Sequence, residues 1–175
     1  MSDEYCIMDA RVAKCESILN YTFINKELCL EALQLAGGIP IFGGKCRMIY
    51  AGKTYWIPKN ERLECLGDAV LTFVLAKLWY PTNTDEGYFN KMIKEPNVMN
   101  ANLGSVGGML GLDKCALLNQ GTVYIGTKKI ADIVEALIGA VMQDGDLAAA
   151  EKVIKTLGLV PQELLKGDGG VKSIL

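Results

Sequence analysis

The 175-residue chain contains no histidine. Histidine is the usual general base beside a nucleophilic serine or cysteine, so its absence excludes Ser–His and Cys–His catalysis. Histidine is also a common ligand of zinc, and the six cysteines form no C-x-x-C pair. We therefore expect no zinc site of the usual Cys/His kind. Any hydrolytic chemistry must therefore depend on carboxylates, lysines or bound metal ions.

Features that would place the chain in a membrane or outside the cell are also missing. No run of eighteen uncharged apolar residues is present, and the opening residues, MSDEYCIMDAR, have no apolar signal-peptide core. Cysteines without a motif indicate reduced thiols in a reducing compartment. We therefore expect no membrane partner and an intracellular, cytoplasmic location, with the nucleus and the mitochondrion left open.

The chain has little excess charge, with a net charge of −2 and an isoelectric point of about 5.3. Proteins that bind nucleic acid through their overall charge are basic. Any unaided affinity for nucleic acid should therefore be modest, depend steeply on salt and come from a local group of cations.

Half of the residues are hydrophobic and are spread along the chain, which predicts a globular fold. We expect one domain over residues 1–160 and a short, flexible tail over residues 161–175. A glycine-rich stretch at 37–59 predicts a small β-hairpin with its turn near Ala51, Gly52 and Lys53. The fold class is all-α apart from this hairpin. Helical periodicity predicts helices over residues 10–20, 26–35, 61–79, 84–94, 98–110, 128–142 and 147–157.

Two groups of acidic residues stand on helices that are otherwise apolar. Glu61, Glu64 and Asp68 are spaced i, i+3, i+7 and share one helix face, and Asp132 and Glu135 share a face of a second helix. Carboxylates in apolar surroundings need cations or hydrogen-bond donors. A site made only of oxygen ligands suits Mg²⁺ or Mn²⁺.

Spacing alone does not settle what these acidic residues do. Each acidic pair is typical of a solvated helix face, although two pairs on separate apolar helices favour a metal site. An all-α nucleoside-triphosphate pyrophosphohydrolase uses similar carboxylate clusters. The spacing therefore predicts a metal site and does not choose its substrate.

The segments around the acidic residues are more specific. NERLECLGDAVL at 60–71 closely resembles the signature of ribonuclease III, and ADIVEALIGAV at 131–141 resembles the second motif of that family. YTFINKELCLEAL, DEGYFNKMI and NANLGSVGGMLGL resemble its flanking segments. The resemblance covers about residues 12–157 and is greatest to small, stand-alone fungal forms.

The resemblance implies an all-α homodimer that binds double-stranded RNA. It implies Glu64, Asp68, Asp132 and Glu135 as ligands of Mg²⁺, with Mn²⁺ as a substitute. Loss of Glu135 would abolish cleavage most completely, Glu61 would assist nearby and Lys128 would steady the scissile phosphate. The residues that the resemblance places in catalysis are thus Glu61, Asp68, Glu135 and Lys128. It leaves structural or supporting roles open for Asn60, Arg62 and Asn100.

The chain also departs from the family pattern. Cys65 replaces an aromatic residue that fills a socket on the partner subunit, so the dimer contact must be repacked or weaker. The segment from Glu86 to Leu103 is one residue longer than usual and contains Pro96. The hairpin segment is longer than in bacterial members, and we expect no double-stranded RNA-binding domain after residue 157.

These observations predict an endoribonuclease that cuts double-stranded RNA in a staggered manner, leaving 5′-phosphate and 3′-hydroxyl ends. Two alternatives remain: an inactive RNA-binding or structural protein of the same fold, and a nucleoside-triphosphate pyrophosphohydrolase. Candidate RNA contacts are Arg47, Lys53, Lys91, Lys94, Lys128 and Lys129.

Overall fold

The computed structural model describes residues 7–37, 43–119, 121–122 and 124–165. In chain order it contains α1 (Asp9–Leu19), α2 (Lys26–Ala32), β1 (Cys46–Tyr50), β2 (Lys53–Ile57), α3 (Glu61–Trp79), a 3₁₀ turn (Tyr80–Thr82), α4 (Glu86–Tyr88), a π-helix (Phe89–Lys94), α5 (Glu95–Val98), α6 (Asn100–Leu110), a 3₁₀ turn (Leu112–Cys115), α7 (Thr127–Asp144), α8 (Leu147–Thr156) and α9 (Gln162–Leu165). The predicted fold class, helical with one small hairpin, is confirmed. Within the described ranges, no helix has the length and apolar character that crossing a bilayer requires.

Helix α7 is the centre of the fold. All residues from 131 to 141 are buried, because apolar side chains occupy every side of the helix and other helices surround it. Helices α3 and α6 make the most extensive contacts with α7, and α2 and α8 complete its surroundings. Asp132 and Glu135 therefore project from the most buried helix of the molecule.

Helices α3 and α7 cross with their backbones in close contact at two glycines. A Cβ atom added to Gly67 of α3 would lie 1.7 Å from the carbonyl oxygen of Glu135. One added to Gly139 of α7 would lie 2.3 Å from the carbonyl oxygen of Leu63. Only glycine permits this approach at either position. The crossing places the first two turns of α3 beside the middle of α7.

The hairpin has the predicted turn. β1 and β2 pair antiparallel, with Tyr50 opposite Lys53, and the turn residues Ala51 and Gly52 have φ values of 49° and 71°. Two successive positive φ values define the type I′ turn that fits the twist of two-residue hairpins. The inner face packs on the core through Cys46, Met48 and Ile57. Residues 38–42 of the predicted hairpin segment lie outside the described residues.

The predicted helix over 84–94 is divided in the structure. Asp85 caps a short helix, accepting a hydrogen bond from the backbone N–H of Tyr88 at 2.8 Å, and a π-helix follows over Phe89–Lys94. A π-helix holds more residues per turn than an α-helix. It can accommodate the extra residue that the family resemblance indicates between Glu86 and Leu103.

The end of the described chain contains helix α9, within the segment predicted as a tail. Leu164 of this helix is buried, and the hydroxyl of Tyr88 donates a hydrogen bond to Glu163 at 3.0 Å. The predicted domain boundary at residue 160 stays a prediction, and residues 166–175 lie outside the described residues.

Candidate metal centre

The start of α3 is held in place by Asn60, which is buried. Its side-chain amide donates hydrogen bonds to the carbonyl oxygens of Ala32 at 3.3 Å and Asp132 at 3.5 Å. Its backbone N–H donates to Gln34 at 3.3 Å. Asn60 thus links α2, α3 and α7, and these contacts give it a structural role beside the carboxylates.

Three of the predicted ligands come together where α3 crosses α7. One carboxylate oxygen from each of Glu64, Asp132 and Glu135 lies within 4.8 Å of the other two. Asp132 is 1% exposed and Glu135 7% exposed, whereas Glu64 is half-buried. We refer to Glu64, Asp132 and Glu135 as the carboxylate cluster.

The pKa of one member of the cluster is strongly raised. Burial raises the pKa of Glu135, and the charges of Asp68, Glu64 and Asp132 raise it further, to about 7. Burial and like charges both disfavour the ionised carboxylate. A cation bound at the cluster would relieve this cost and favour ionisation of Glu135.

Asp68 and Glu61 lie at the margins of the cluster. Asp68 is exposed one turn beyond Glu64 on α3, and it is near enough for its charge to raise the pKa of Glu135. Glu61 is exposed on the first turn, where its carboxylate lies 3.0 Å from the ammonium of Lys59. Neither residue belongs to the three-carboxylate cluster.

Two lysines from the first turn of α7 face the cluster. The ammonium of Lys128 lies 3.1 Å from Oδ1 of Asp132 and 4.0 Å from Oε1 of Glu64. The ammonium of Lys129 lies 2.6 Å from Oδ2 of Asp132. The hydrogen bond to Asp132, together with the charges of Asp132 and Glu64, raises the pKa of Lys128.

Lys129 as a partner of Asp132 was missed from the sequence. Its i, i+3 spacing to Asp132 is the signal that could have revealed the contact. Helix α6 approaches this end of α7, since a Cβ added to Gly104 would lie 2.3 Å from the carbonyl oxygen of Thr127. The glycine therefore helps to set the position from which both lysines project.

Most of the other predicted residues are exposed on the surface. Asn100 is exposed at the start of α6. Arg62 is exposed on α3, and its positive charge partly offsets the burial that raises the pKa of Glu31. Of the candidate RNA contacts, Arg47, Lys53 and Lys91 are exposed and Lys94 is half-buried. Their roles stay predictions.

The cluster has the chemistry expected of a divalent-metal site. Its donors are carboxylate oxygens, which Mg²⁺ and Mn²⁺ prefer, and two of them are buried on an apolar helix. The raised pKa of Glu135 means that its ionised form is disfavoured, and a positive ion would stabilise that form. Glu64, Asp132 and Glu135 could therefore hold such an ion, with Asp68 one turn away.

Comparison of the sequence with known proteins identifies relatives of this chain. A sequence model described as ribonuclease-III-like matches residues 50–161. Ribonuclease 3 of Buchnera aphidicola subsp. Baizongia pistaciae is 31% identical over 149 residues, covering 82% of this chain and 58% of that protein. Ribonuclease 3 of Rhodopirellula baltica is 30% identical over 184 residues, covering 99% of this chain and 62% of that protein. The chain thus spans about three fifths of the length of these curated relatives.

Solved structures share the fold. The nuclease domain of ribonuclease III from Campylobacter jejuni superposes with a TM-score of 0.68 at 24% sequence identity. The match covers 83% of this chain and 94% of that domain. In the Campylobacter protein, structural flexibility occurs in a region involved in dimer formation.

Proposed function

Because this chain belongs to the ribonuclease III-like family, we propose that it is a metal-dependent endoribonuclease that hydrolyses double-stranded RNA and leaves 5′-phosphate and 3′-hydroxyl ends. The observation that carries the proposal is the convergence of Glu64, Asp132 and Glu135 from two helices onto one point. The family relationship favours a phosphodiester substrate over the small triphosphates that a pyrophosphohydrolase would take. The stand-alone fungal form stays a prediction from the resemblance.

The chain's own residues have separate roles in this proposal. Glu64, Asp68, Asp132 and Glu135 are the proposed ligands of Mg²⁺, with Mn²⁺ as a substitute. When bound, the ion supplies a Lewis acid that activates water and offsets negative charge on the phosphodiester. Glu61 assists at the edge of the site, and Lys128 steadies the scissile phosphate by its positive charge.

Two copies of the chain would give staggered cuts with short 3′ overhangs, so the proposal includes a homodimer. An exposed stripe on α3 supports it: Cys65, Ala69 and Phe73 follow one another at i, i+4 and i+8, and Phe73 is 55% exposed. We call these three residues the α3 stripe. It lies on the helix that carries Glu64 and Asp68.

Recognition of RNA would use shape and 2′-hydroxyls rather than base sequence. With a net charge of −2, binding would depend on local cations and weaken steeply as salt increases. The proposed location is a reducing, intracellular compartment, the cytoplasm above all. The free, buried thiols of Cys15, Cys29 and Cys115 are consistent with it.

The proposal is tested by incubating the protein with labelled duplex RNA and Mg²⁺, beside Glu135→Gln and the control Glu27→Gln. Glu27 is an exposed glutamate of α2, so its substitution removes one charge away from the cluster. We expect cleavage by the wild type and Glu27→Gln, and loss of at least two orders of magnitude of activity in Glu135→Gln. A parallel incubation with nucleoside triphosphates measures pyrophosphate release.

Each alternative gives a different pattern in this assay. Intact RNA together with pyrophosphate release would indicate a pyrophosphohydrolase. RNA that is bound but intact in every tube would indicate an inactive RNA-binding protein. Cleavage that survives Glu135→Gln would contradict the assignment of the cluster.

A further inference from the structure

Each oxygen of the Asp132 carboxylate has its own lysine. Lys128 contacts Oδ1 at 3.1 Å and Lys129 contacts Oδ2 at 2.6 Å. Asp132 is 1% exposed, so water contributes little to its solvation, and the two ammonium groups stabilise its charge instead. The two lysines differ, because Lys128 also lies 4.0 Å from Glu64 and so bridges two members of the cluster.

We infer that Lys129 is a substrate-positioning residue that exchanges the carboxylate of Asp132 for a phosphate of the RNA when a divalent ion binds the cluster. This inference rests on the proposed function. It gives Lys129 a phosphate contact in addition to the scissile-phosphate contact proposed for Lys128, which bridges Asp132 and Glu64.

The exchange follows from competition for one carboxylate. Mg²⁺ binds oxygen at about 2.1 Å, so an ion on Oδ2 and an ammonium 2.6 Å from that oxygen would be within about 5 Å of each other. Like charges at that separation repel, and the burial of Asp132 limits how far water screens this repulsion. The ammonium of Lys129 would therefore leave Asp132 when Oδ2 serves as a ligand of the ion.

The surroundings of Lys129 allow its side chain to move away from Asp132. The Lys129 side chain is 48% exposed and flexible, so its ammonium can move without unfolding α7. It also lines a hollow of about 210 Å³ together with Asn119, Thr122, Tyr124 and Gly126. A lysine binds phosphate as a mobile point charge. Because its ammonium already contacts Asp132, Lys129 can reach a phosphate that binds beside the cluster.

The first measurement is Mg²⁺ binding by calorimetry without RNA. If Lys129 competes with the ion, Lys129→Met should bind Mg²⁺ more tightly, by on the order of tenfold. Methionine keeps an apolar stem in the hollow, and Lys129→Arg keeps the charge and should bind Mg²⁺ like the wild type. The matched control is Lys59→Met, which removes a cation paired with Glu61 rather than with a cluster residue and should change affinity less than about threefold.

The second measurement is RNA cleavage at saturating Mg²⁺. Lys129→Met should raise KM for duplex RNA severalfold, and the slope of log(kcat/KM) against log salt should become shallower by about 0.9, the value for one lost phosphate contact. Lys129→Arg should restore the slope. A purely structural role would weaken Mg²⁺ binding and RNA binding together.

The outcomes separate the two proposals. Unchanged or weaker Mg²⁺ binding by Lys129→Met would overturn the inference while leaving the proposed function intact, provided that the wild type binds Mg²⁺ and cleaves RNA. A wild-type protein that neither binds Mg²⁺ nor cleaves RNA would overturn both. If Lys129→Met does not fold, Lys129→Gln takes its place in the same measurements.

Discussion

Glu135 is a carboxylic acid surrounded by other carboxylates in a buried position. Burial is the largest cause of its raised pKa of about 7, against an ordinary value of 4.5, and Asp68, Glu64 and Asp132 add to it. Because the pKa is higher in the folded protein than in the unfolded chain, protonation favours folding. This stabilisation is complete below about pH 4.5 and is lost as the pH rises through about 7.

We expect the protein without divalent metal to lose roughly 2 to 3 kcal/mol of stability from this group between pH 4.5 and about pH 8. The glutamine of the Glu135→Gln variant cannot ionise. The free energy of unfolding of this variant should therefore fall less steeply as the pH rises over that range. Urea unfolding in the presence of a chelator, at a series of pH values, measures both curves. Parallel curves for the two proteins would contradict the assignment of a raised pKa to Glu135.

Ala51 is a residue whose backbone conformation does not suit its side chain. It occupies the first central position of the type I′ turn with φ 49°, where Asn is preferred. The left-handed region costs a non-glycine residue roughly 1 kcal/mol or more. Ala51→Asn should therefore stabilise the protein by about 0.5 to 1 kcal/mol, measured by urea unfolding.

A control tests whether the gain comes from the turn. Ala13→Asn introduces the same side chain at an exposed position inside α1, where asparagine is a poorer helix former than alanine. This control should lose about 0.5 kcal/mol. Equal effects of the two substitutions would exclude the turn as the cause.

At the scale of helices, the crossing at Gly67 decides whether the cluster can form. Gly67→Ala would place a methyl group 1.7 Å from the Glu135 carbonyl oxygen, so α3 and α7 would have to move apart. We expect a loss of roughly 3 kcal/mol or more in the free energy of unfolding and a large loss of Mg²⁺ affinity. Thermal unfolding and calorimetry measure the two effects.

Gly108→Ala is the matched control for that substitution. Gly108 is exposed on α6, and an added Cβ would lie 3.8 Å from Cδ1 of Ile130, an ordinary contact distance. Alanine is the better helix former, so this variant should gain up to about 1 kcal/mol and bind Mg²⁺ normally. A mild effect of Gly67→Ala would show that the two helices can separate without cost.

The helices were predictable because their apolar periodicity is local. The hairpin turn was predictable from Gly52 between two β-prone runs, because glycine readily adopts the positive φ that a tight turn requires. The π-helix was not, because the resemblance indicates an extra residue without saying which turn accommodates it. The close crossing of α3 and α7 was also hidden, because helix spacing depends on tertiary packing that no single segment encodes.

The same limit applies to the candidate site. Spacing predicts that Glu64 and Asp68 share a face and that Asp132 and Glu135 share another. Only the crossing of the helices determines that Glu64 joins Asp132 and Glu135 while Asp68 stays exposed. The raised pKa of Glu135 depends on burial by the whole fold, so no local pattern could have predicted it.

At the scale of the whole molecule, the α3 stripe would set the affinity of the proposed homodimer. Cys65 is exposed in the stripe and is far smaller than the aromatic side chain that the family pattern has there. Burying a phenylalanine contributes roughly 1.5 to 3 kcal/mol. Cys65→Phe should therefore lower the dimer dissociation constant by at least about tenfold in sedimentation velocity.

Two variants control for nonspecific association caused by an added apolar side chain. Lys152→Phe places the same side chain on the exposed surface of α8 and should leave the dissociation constant unchanged. Phe73→Ser removes apolar area from the α3 stripe and should weaken association. Equal association of Cys65→Phe and Lys152→Phe would mean that the stripe is not the interface.

The backbone contact between α3 and α7 also limits how such a site can diversify. Two helices that touch through glycines cannot be moved closer together, and they separate only if that contact is lost. The preference of the site for one ion over another is therefore open to change by exchanging side chains but not by adjusting the distance between the helices. In an evolving lineage, we expect the glycines to persist longer than the carboxylates, even in descendants that have given up chemistry.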